Sequence, residues 1–168
     1  MKTDFGTNSY SQWFFFRVSN MKRGTNYRFN IMNMLKPDCL YNQGMKILCN
    51  PVTSNELPKH DWSFNGKEIG YYKNCIQKRV GINYYTLTFT ITANSESMYI
   101  ASNYPYTHTD LMNLLRELSG VKYKHKVRID SLCRTLAGNQ CPIVTITNFK
   151  EDYNKKPAII FTARVHPG

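Results

Sequence analysis

A chain of 168 residues is long enough for one ordinary domain or two small ones, each with a real core. Aromatic residues make up 14% and charged residues 20%, which excludes a disordered chain, and no apolar run approaches the ~20 residues that span a bilayer. The net charge of +11 favours anionic partners (acidic peptide, nucleic acid or anionic membrane) without choosing among them.

The excess is even along the chain: twelve Lys/Arg face six Asp/Glu in residues 1–103, and ten face five in 104–168. The first residues lack the apolar stretch of a signal peptide, and no N-x-S/T sequon occurs. The five cysteines (Cys39, Cys49, Cys75, Cys133, Cys141) contain no C-x-x-C pair. They read as free thiols, and the expected address is cytoplasmic.

Residues 13–19 and 27–32 flank the polar, Gly-containing stretch 20–25 and are expected to form a hairpin. Tyr27, Phe29 and Ile31 alternate with Arg28 and Asn30, so one face is buried. Residues 62–64 and 67–69 flank Asn65-Gly66, a pair tolerant of positive φ, and predict a second hairpin. The clearest strand spans 84–92, with Tyr85, Leu87, Phe89 and Ile91 on one face and Thr86, Thr88, Thr90 and Thr92 on the other. A strand over 98–104 closes this half. Short strands, frequent turns and no long helix predict an antiparallel β-sandwich in which Phe14, Phe16, Phe29, Leu87, Phe89 and Ile91 are core.

The pattern changes near Asn103. Thr107-His108-Thr109-Asp110 reads as a capping box. Leu111, Leu114, Leu115 and Leu118 then form one helical stripe that Gly120 can end. After the basic stretch Lys122-Tyr123-Lys124-His125-Lys126 come three expected strands, over 127–132, 142–147 and 158–165; residues 134–139 between the first two read as a turn. The third is apolar on both faces, as in a central strand covered on both sides. The expected division is a β-sandwich over 1–103 and a shorter α/β segment of one helix and three strands over 104–168.

That last strand delivers His166 onto Pro167-Gly168. Four stretches together resemble the cytosolic carboxypeptidases, zinc metallocarboxypeptidases that trim glutamates from tubulin. They are Phe16-Arg17-Val18-Ser19-Asn20-Met21-Lys22 running on through Tyr27-Arg28-Phe29-Asn30-Ile31 to Leu35-Lys36-Pro37-Asp38-Cys39-Leu40-Tyr41-Asn42; Tyr104-Pro105-Tyr106-Thr107-His108-Thr109-Asp110-Leu111; Leu132-Cys133-Arg134-Thr135-Leu136-Ala137-Gly138-Asn139; and Thr162-Ala163-Arg164-Val165-His166-Pro167-Gly168. Residues 50–81 match weakly.

The resemblance implies a β-sandwich N-domain followed by the start of an α/β catalytic domain. It makes His166 the first zinc ligand of the intact enzyme, from an H-P-G-E motif whose Glu, like the second histidine, the carboxylate-binding Arg and the general-base Glu, would lie downstream. A catalytic zinc takes three protein ligands and a water. The 168 residues alone are therefore expected to hold no catalytic zinc and to be inactive. His60, His108 and His125 have no second ligand at metal spacing and read as structural or solvent-facing. The implied partners are acidic protein C-termini or polyglutamate side chains of the tubulin kind, with no membrane or nucleic acid expected and self-association through the truncated sheet as a further outcome. The alternative is a stand-alone basic β-sandwich module binding an acidic protein or nucleic acid.

Overall fold

The computed structural model describes residues 11, 13–54, 60–152 and 155–163, which fall into two compact units divided between Pro105 and Tyr106. The first unit holds seven strands: β1 (Phe15–Val18), β2 (Asn26–Met34), β3 (Leu48–Pro51), β4 (Ser63–Phe64), β5 (Lys67–Arg79), β6 (Ile82–Thr92) and β7 (Met98–Ala101). They form two antiparallel sheets, ordered β1-β7-β3-β4 and β2-β6-β5. The core between them draws on both: Phe14, Ile47, Cys49, Met98 and Ile100 come from the first sheet and its flanks, and Met34, Tyr71, Leu87, Phe89 and Ile91 from the second. The antiparallel sandwich read from the sequence is the fold.

Neither expected hairpin forms, and both fail in the same way. Phe15–Val18 pairs with β7, and Asn26–Met34 pairs with β6 in the other sheet. The stretch between them crosses from sheet to sheet instead of turning within one. Met21 is buried in it, its amide donates to the Glu96 carbonyl at 2.9 Å, and the amide of Gly24 (φ 78°) reaches the Ala93 carbonyl at 2.8 Å. The apolar faces of the two strands therefore meet across the core, where Phe16 and Phe29 lie 6.1 Å apart and Phe29 stacks on Phe89 at 5.4 Å.

Asn65-Gly66 is the second crossing, from β4 in the first sheet to β5 in the second. Gly66 is chosen here for space: an added Cβ would sit 3.1 Å from the Ile47 side chain. Asn65 fastens the crossing by donating from its amide to the Ile47 carbonyl (3.0 Å) and from its side chain to the Thr92 carbonyl (3.2 Å). The hairpin of this region lies later, at Val80-Gly81, where β5 turns into β6 with Gly81 at φ 80°.

On β6 the threonine face is covered too, and every buried hydroxyl has a partner, as burial of a polar group requires. Thr86 pairs with Asn74, Thr88 with Asn30 and Tyr72, and Thr90 with Glu68, at 2.6–3.1 Å.

The second unit holds α1 (His108–Leu118), β8 (Val127–Arg134) and β9 (Gln140–Ile146). The capping box is present in full: the Asp110 amide donates to Thr107 Oγ1 (3.2 Å), and the Thr107 amide donates to Asp110 Oδ2 (2.8 Å). Strands β8 and β9 form a two-stranded antiparallel hairpin whose loop closes through the Thr135 amide to the Asn139 carbonyl, with Gly138 at φ 81°. The expected third strand is not a strand over its described residues, 158–163, and Ile159, Ile160 and Phe161 are 81%, 84% and 91% exposed. An apolar run states what a segment is suited to bury, whereas a strand also needs a hydrogen-bonded neighbour.

Candidate functional site

The residue on which the sequence concentrates, His166, lies outside the described residues together with Arg164, Pro167 and Gly168. The other three histidines are exposed: His60 lies before β4, His108 is the first residue of α1, and His125 sits in the turn before β8. Among the described residues no three His, Cys, Asp or Glu side chains gather as a metal would need. A catalytic zinc takes three protein donors. Among the described residues no such set of donors is present.

Two features remain that bear on chemistry. A half-open groove of about 340 Å³ runs between α1 and the β8–β9 hairpin, with Met112, Leu115 and Arg116 on the helix side and Ile129, Asp130 and Pro142 on the hairpin side. Its lining is mixed: Ser119, Ser131 and Gln140 stand with these apolar residues, one cation and one carboxylate. Beside it in sequence, Lys122, Lys124, His125 and Lys126 project into solvent from a turn that bonds itself: the amides of Lys126 and Val127 both donate to the Tyr123 carbonyl, at 2.8 and 2.9 Å. Such a turn costs nothing to leave solvated, and its cations stay available to an acidic partner.

The most perturbed ionisable groups lie in the first unit. Burial, with Cys39 nearby, pushes the phenols of Tyr41 and Tyr71 well above their ordinary value. Tyr71 stacks on Tyr85 at 5.5 Å and donates its hydroxyl to the Lys36 carbonyl. Burial also pushes the Cys49 thiol up to about 12. All three groups are held neutral at physiological pH, which suits packing and does not suit acid, base or nucleophile. In the second unit the exposed Glu151 carboxylate is held below its ordinary value by hydrogen bonds from Lys156 and Asn148. One juxtaposition was not legible in the sequence: Cys133 and Cys141, with no C-x-x-C spacing to announce them, stand opposite each other on β8 and β9.

Residues 1–104 match the model of the cytosolic carboxypeptidase N-terminal domain. The whole chain aligns with cytosolic carboxypeptidase 1 of Gallus gallus at 38% identity and with cytosolic carboxypeptidase 2 of Xenopus tropicalis at 39%, covering 15% and 18% of those proteins. In shape it is similar to a metallo-carboxypeptidase from Burkholderia cenocepacia (TM-score 0.56, 17% identity), over 88% of this chain and 32% of that one. Among the described residues no helix is long and apolar enough to cross a membrane. The chain spans less than a fifth of the curated relatives named here, and it belongs to the cytosolic carboxypeptidase family, whose N-terminal domain it carries.

Proposed function

We propose that this chain is the N-terminal portion of a cytoplasmic zinc metallocarboxypeptidase that removes C-terminal residues, glutamates above all, from proteins such as tubulin. The observation that carries the reading is alignment of all 168 residues, not of the sandwich alone, with curated cytosolic carboxypeptidases. His166 is the first zinc ligand of the intact protein, and the zinc, when held there with the remaining ligands, supplies an activated water. By itself the present chain offers one such donor and is not catalytic. What it contributes is a closed sandwich, the opening elements of a second unit, and a net charge of +11 that attracts glutamate-rich tails in a salt-dependent way.

The experiment is release of free amino acid from peptides ending in glutamate runs and from matched peptides ending in other residues. It compares the intact protein, its His166→Ala variant and residues 1–168. Release by the intact protein alone, greatest from glutamate ends, is expected. Equal release by His166→Ala would remove the ligand assignment, and no release from any peptide would overturn the enzymatic reading. Salt-sensitive binding of the glutamate peptides without release would favour the stand-alone basic binding module.

A further inference from the structure

The pairing of β8 with β9 sets Cys133 against Cys141. The spacing of that pair follows from the ladder. Thr135 donates its amide to the Asn139 carbonyl at 2.8 Å, which marks this loop-closing pair as the hydrogen-bonded, wider kind. Pair types alternate along antiparallel strands, so Arg134 with Gln140 is the non-hydrogen-bonded kind and Cys133 with Cys141 is again hydrogen-bonded, with Cα atoms about 5.5 Å apart. Disulfides have Cα separations of about 4.4–6.8 Å and Cβ separations of about 3.5–4.5 Å, whereas the Cβ atoms of a hydrogen-bonded pair lie nearer about 5.5 Å, so closure must draw the two side chains together by about 1 Å. Directly opposed residues also project to the same face of a sheet.

Two further observations make the pair accessible and adjustable. Cys133 is exposed and Cys141 is partly exposed, in contrast to buried Cys49. A register shift separates Ser131 from Cys133, and the Ser131 hydroxyl closes over it by donating to the Cys133 carbonyl at 3.3 Å. A bulge of this kind leaves one strand with an extra residue and a stronger local twist, which is freedom to re-aim a neighbouring side chain. Pro142 lines the groove under α1 with Ile129, so alternation turns Cys141 towards the face away from the helix.

We propose that Cys133 and Cys141 form a redox-active dithiol, a modification site that closes reversibly to a disulfide across the β8–β9 hairpin when a hydroperoxide is present. One thiolate attacks the peroxide oxygen, breaking the O–O bond and leaving a sulfenic acid and an alcohol or water. The second thiolate attacks that sulfur, forming the S–S bond and expelling hydroxide, which takes up a proton as water. Two thiols and one hydroperoxide thus give one disulfide, one alcohol (or water) and one water; the sulfurs lose two electrons and the peroxide gains them. A small-molecule thiol reverses the step by exchange, which fits a compartment where lasting disulfides are rare.

The test oxidises the full chain at micromolar concentration with hydrogen peroxide, blocks remaining thiols and digests with trypsin without reduction. Trypsin separates the two cysteines into peptides 129–134 and 135–150, so the disulfide appears as those two peptides linked. An intramolecular partner acts at roughly millimolar effective concentration, so the 133–141 linkage should exceed intermolecular linkages by roughly a thousandfold. Dithiothreitol should abolish it, and Cys133→Ser or Cys141→Ser should each remove it while leaving the circular-dichroism spectrum unchanged. Peroxide that links Cys75 instead, joins separate chains, or leaves 129–134 and 135–150 unlinked would overturn the proposal. The same mapping on Cys39→Ser/Cys75→Ser protein, which keeps both members of the pair, should still give the linked peptides, and their loss there would overturn it equally.

Discussion

The two units use the same kinds of residue and put them in opposite places. In the first, Met34, Ile47, Leu87, Phe89, Ile91, Met98 and Ile100 are wholly buried between two sheets. In the second, Leu115 alone among the described residues is buried, while Val121, Leu132, Leu136 and Ile146 are 66–91% exposed. Two facing sheets close a core of their own; one helix on a two-stranded sheet cannot. The second unit thus carries the apolar patterning of a larger assembly without itself providing the cover, and its stability should respond quite differently to substitution.

The largest expected contrast is between one buried and one exposed apolar residue. Phe89 is wholly buried, 6.2 Å from the Phe14 ring and 5.4 Å from Phe29. Phe89→Asp would place an unpaired carboxylate there and should cost more than ~4 kcal/mol, enough to unfold the sandwich. Leu132→Asp, at a residue 66% exposed, should change stability by no more than ~0.5 kcal/mol. Thermal melts followed by circular dichroism check both, and comparable losses would erase the distinction between the units.

Association should separate the units next. Exposed Ile159, Ile160 and Phe161 form an apolar run that water solvates poorly. Residues 1–168 should therefore sediment as larger species than residues 1–105 at equal concentration, and replacing the three by serine should restore the monomer. Two identical monomer profiles would rule out self-association through this segment.

How far the sequence could be read follows the same divide between local and non-local signals. The capping box at Thr107 and Asp110, the loop around Gly138 and the buried face of β6 were all legible, because each depends on residues a few positions apart. The two crossings were not. A Gly-containing turn between two half-apolar strands fits a hairpin and a sheet-to-sheet arch equally well, since alternation reports that a face is buried but not against what. Met21, an apolar residue inside a polar turn, was the available clue, and it is buried at the end of the core. Cys133 and Cys141 escaped notice because register, not spacing, brings them together. The reading of His166 as a zinc ligand rests on family resemblance alone, and the residue lies outside the described residues.

The Asn65-Gly66 crossing gives a sharper test of that reading. A turn glycine is needed for positive φ, but Gly66 is needed because a Cβ would press within 3.1–3.2 Å of the wholly buried Ile47 side chain. Gly66→Ala should destabilise the sandwich by about 1–2 kcal/mol through overpacking, and Ile47→Val made with it should recover part of the loss. Strict additivity of the two changes would detach Gly66 from Ile47. In the second unit, Thr107→Ala removes the cap of α1 and should cost about 1 kcal/mol. Amide exchange in the first turn of α1 would report it, and unchanged protection there would remove the cap from the account.

The one effect confined to alkaline solution belongs to Cys49. Burial pushes its thiol from 9.0 up to about 12, and its Sγ–H donates to the Asn65 carbonyl at 3.5 Å, a bond open only to the protonated form. Below pH 9 the folded and unfolded chains both keep that proton, and the group adds no pH dependence. Between pH 9 and 12 the unfolded chain releases it while the folded one retains it, so stability falls as pH rises. From pH 8 to 10 the loss due to this thiol should be about 1.4 kcal/mol, most of it between pH 9 and 10, at ~1.4 kcal/mol per pH unit once the unfolded thiol is ionised. That window lies mostly below the range in which the buried phenols of Tyr41 and Tyr71 add a loss of the same sign. Cys49→Ala should lower the melting temperature at pH 8 through the cavity it leaves, yet fall less steeply than the parent between pH 8 and 10. Parallel profiles would mean that the thiol ionises as readily in the folded sandwich as in the unfolded chain.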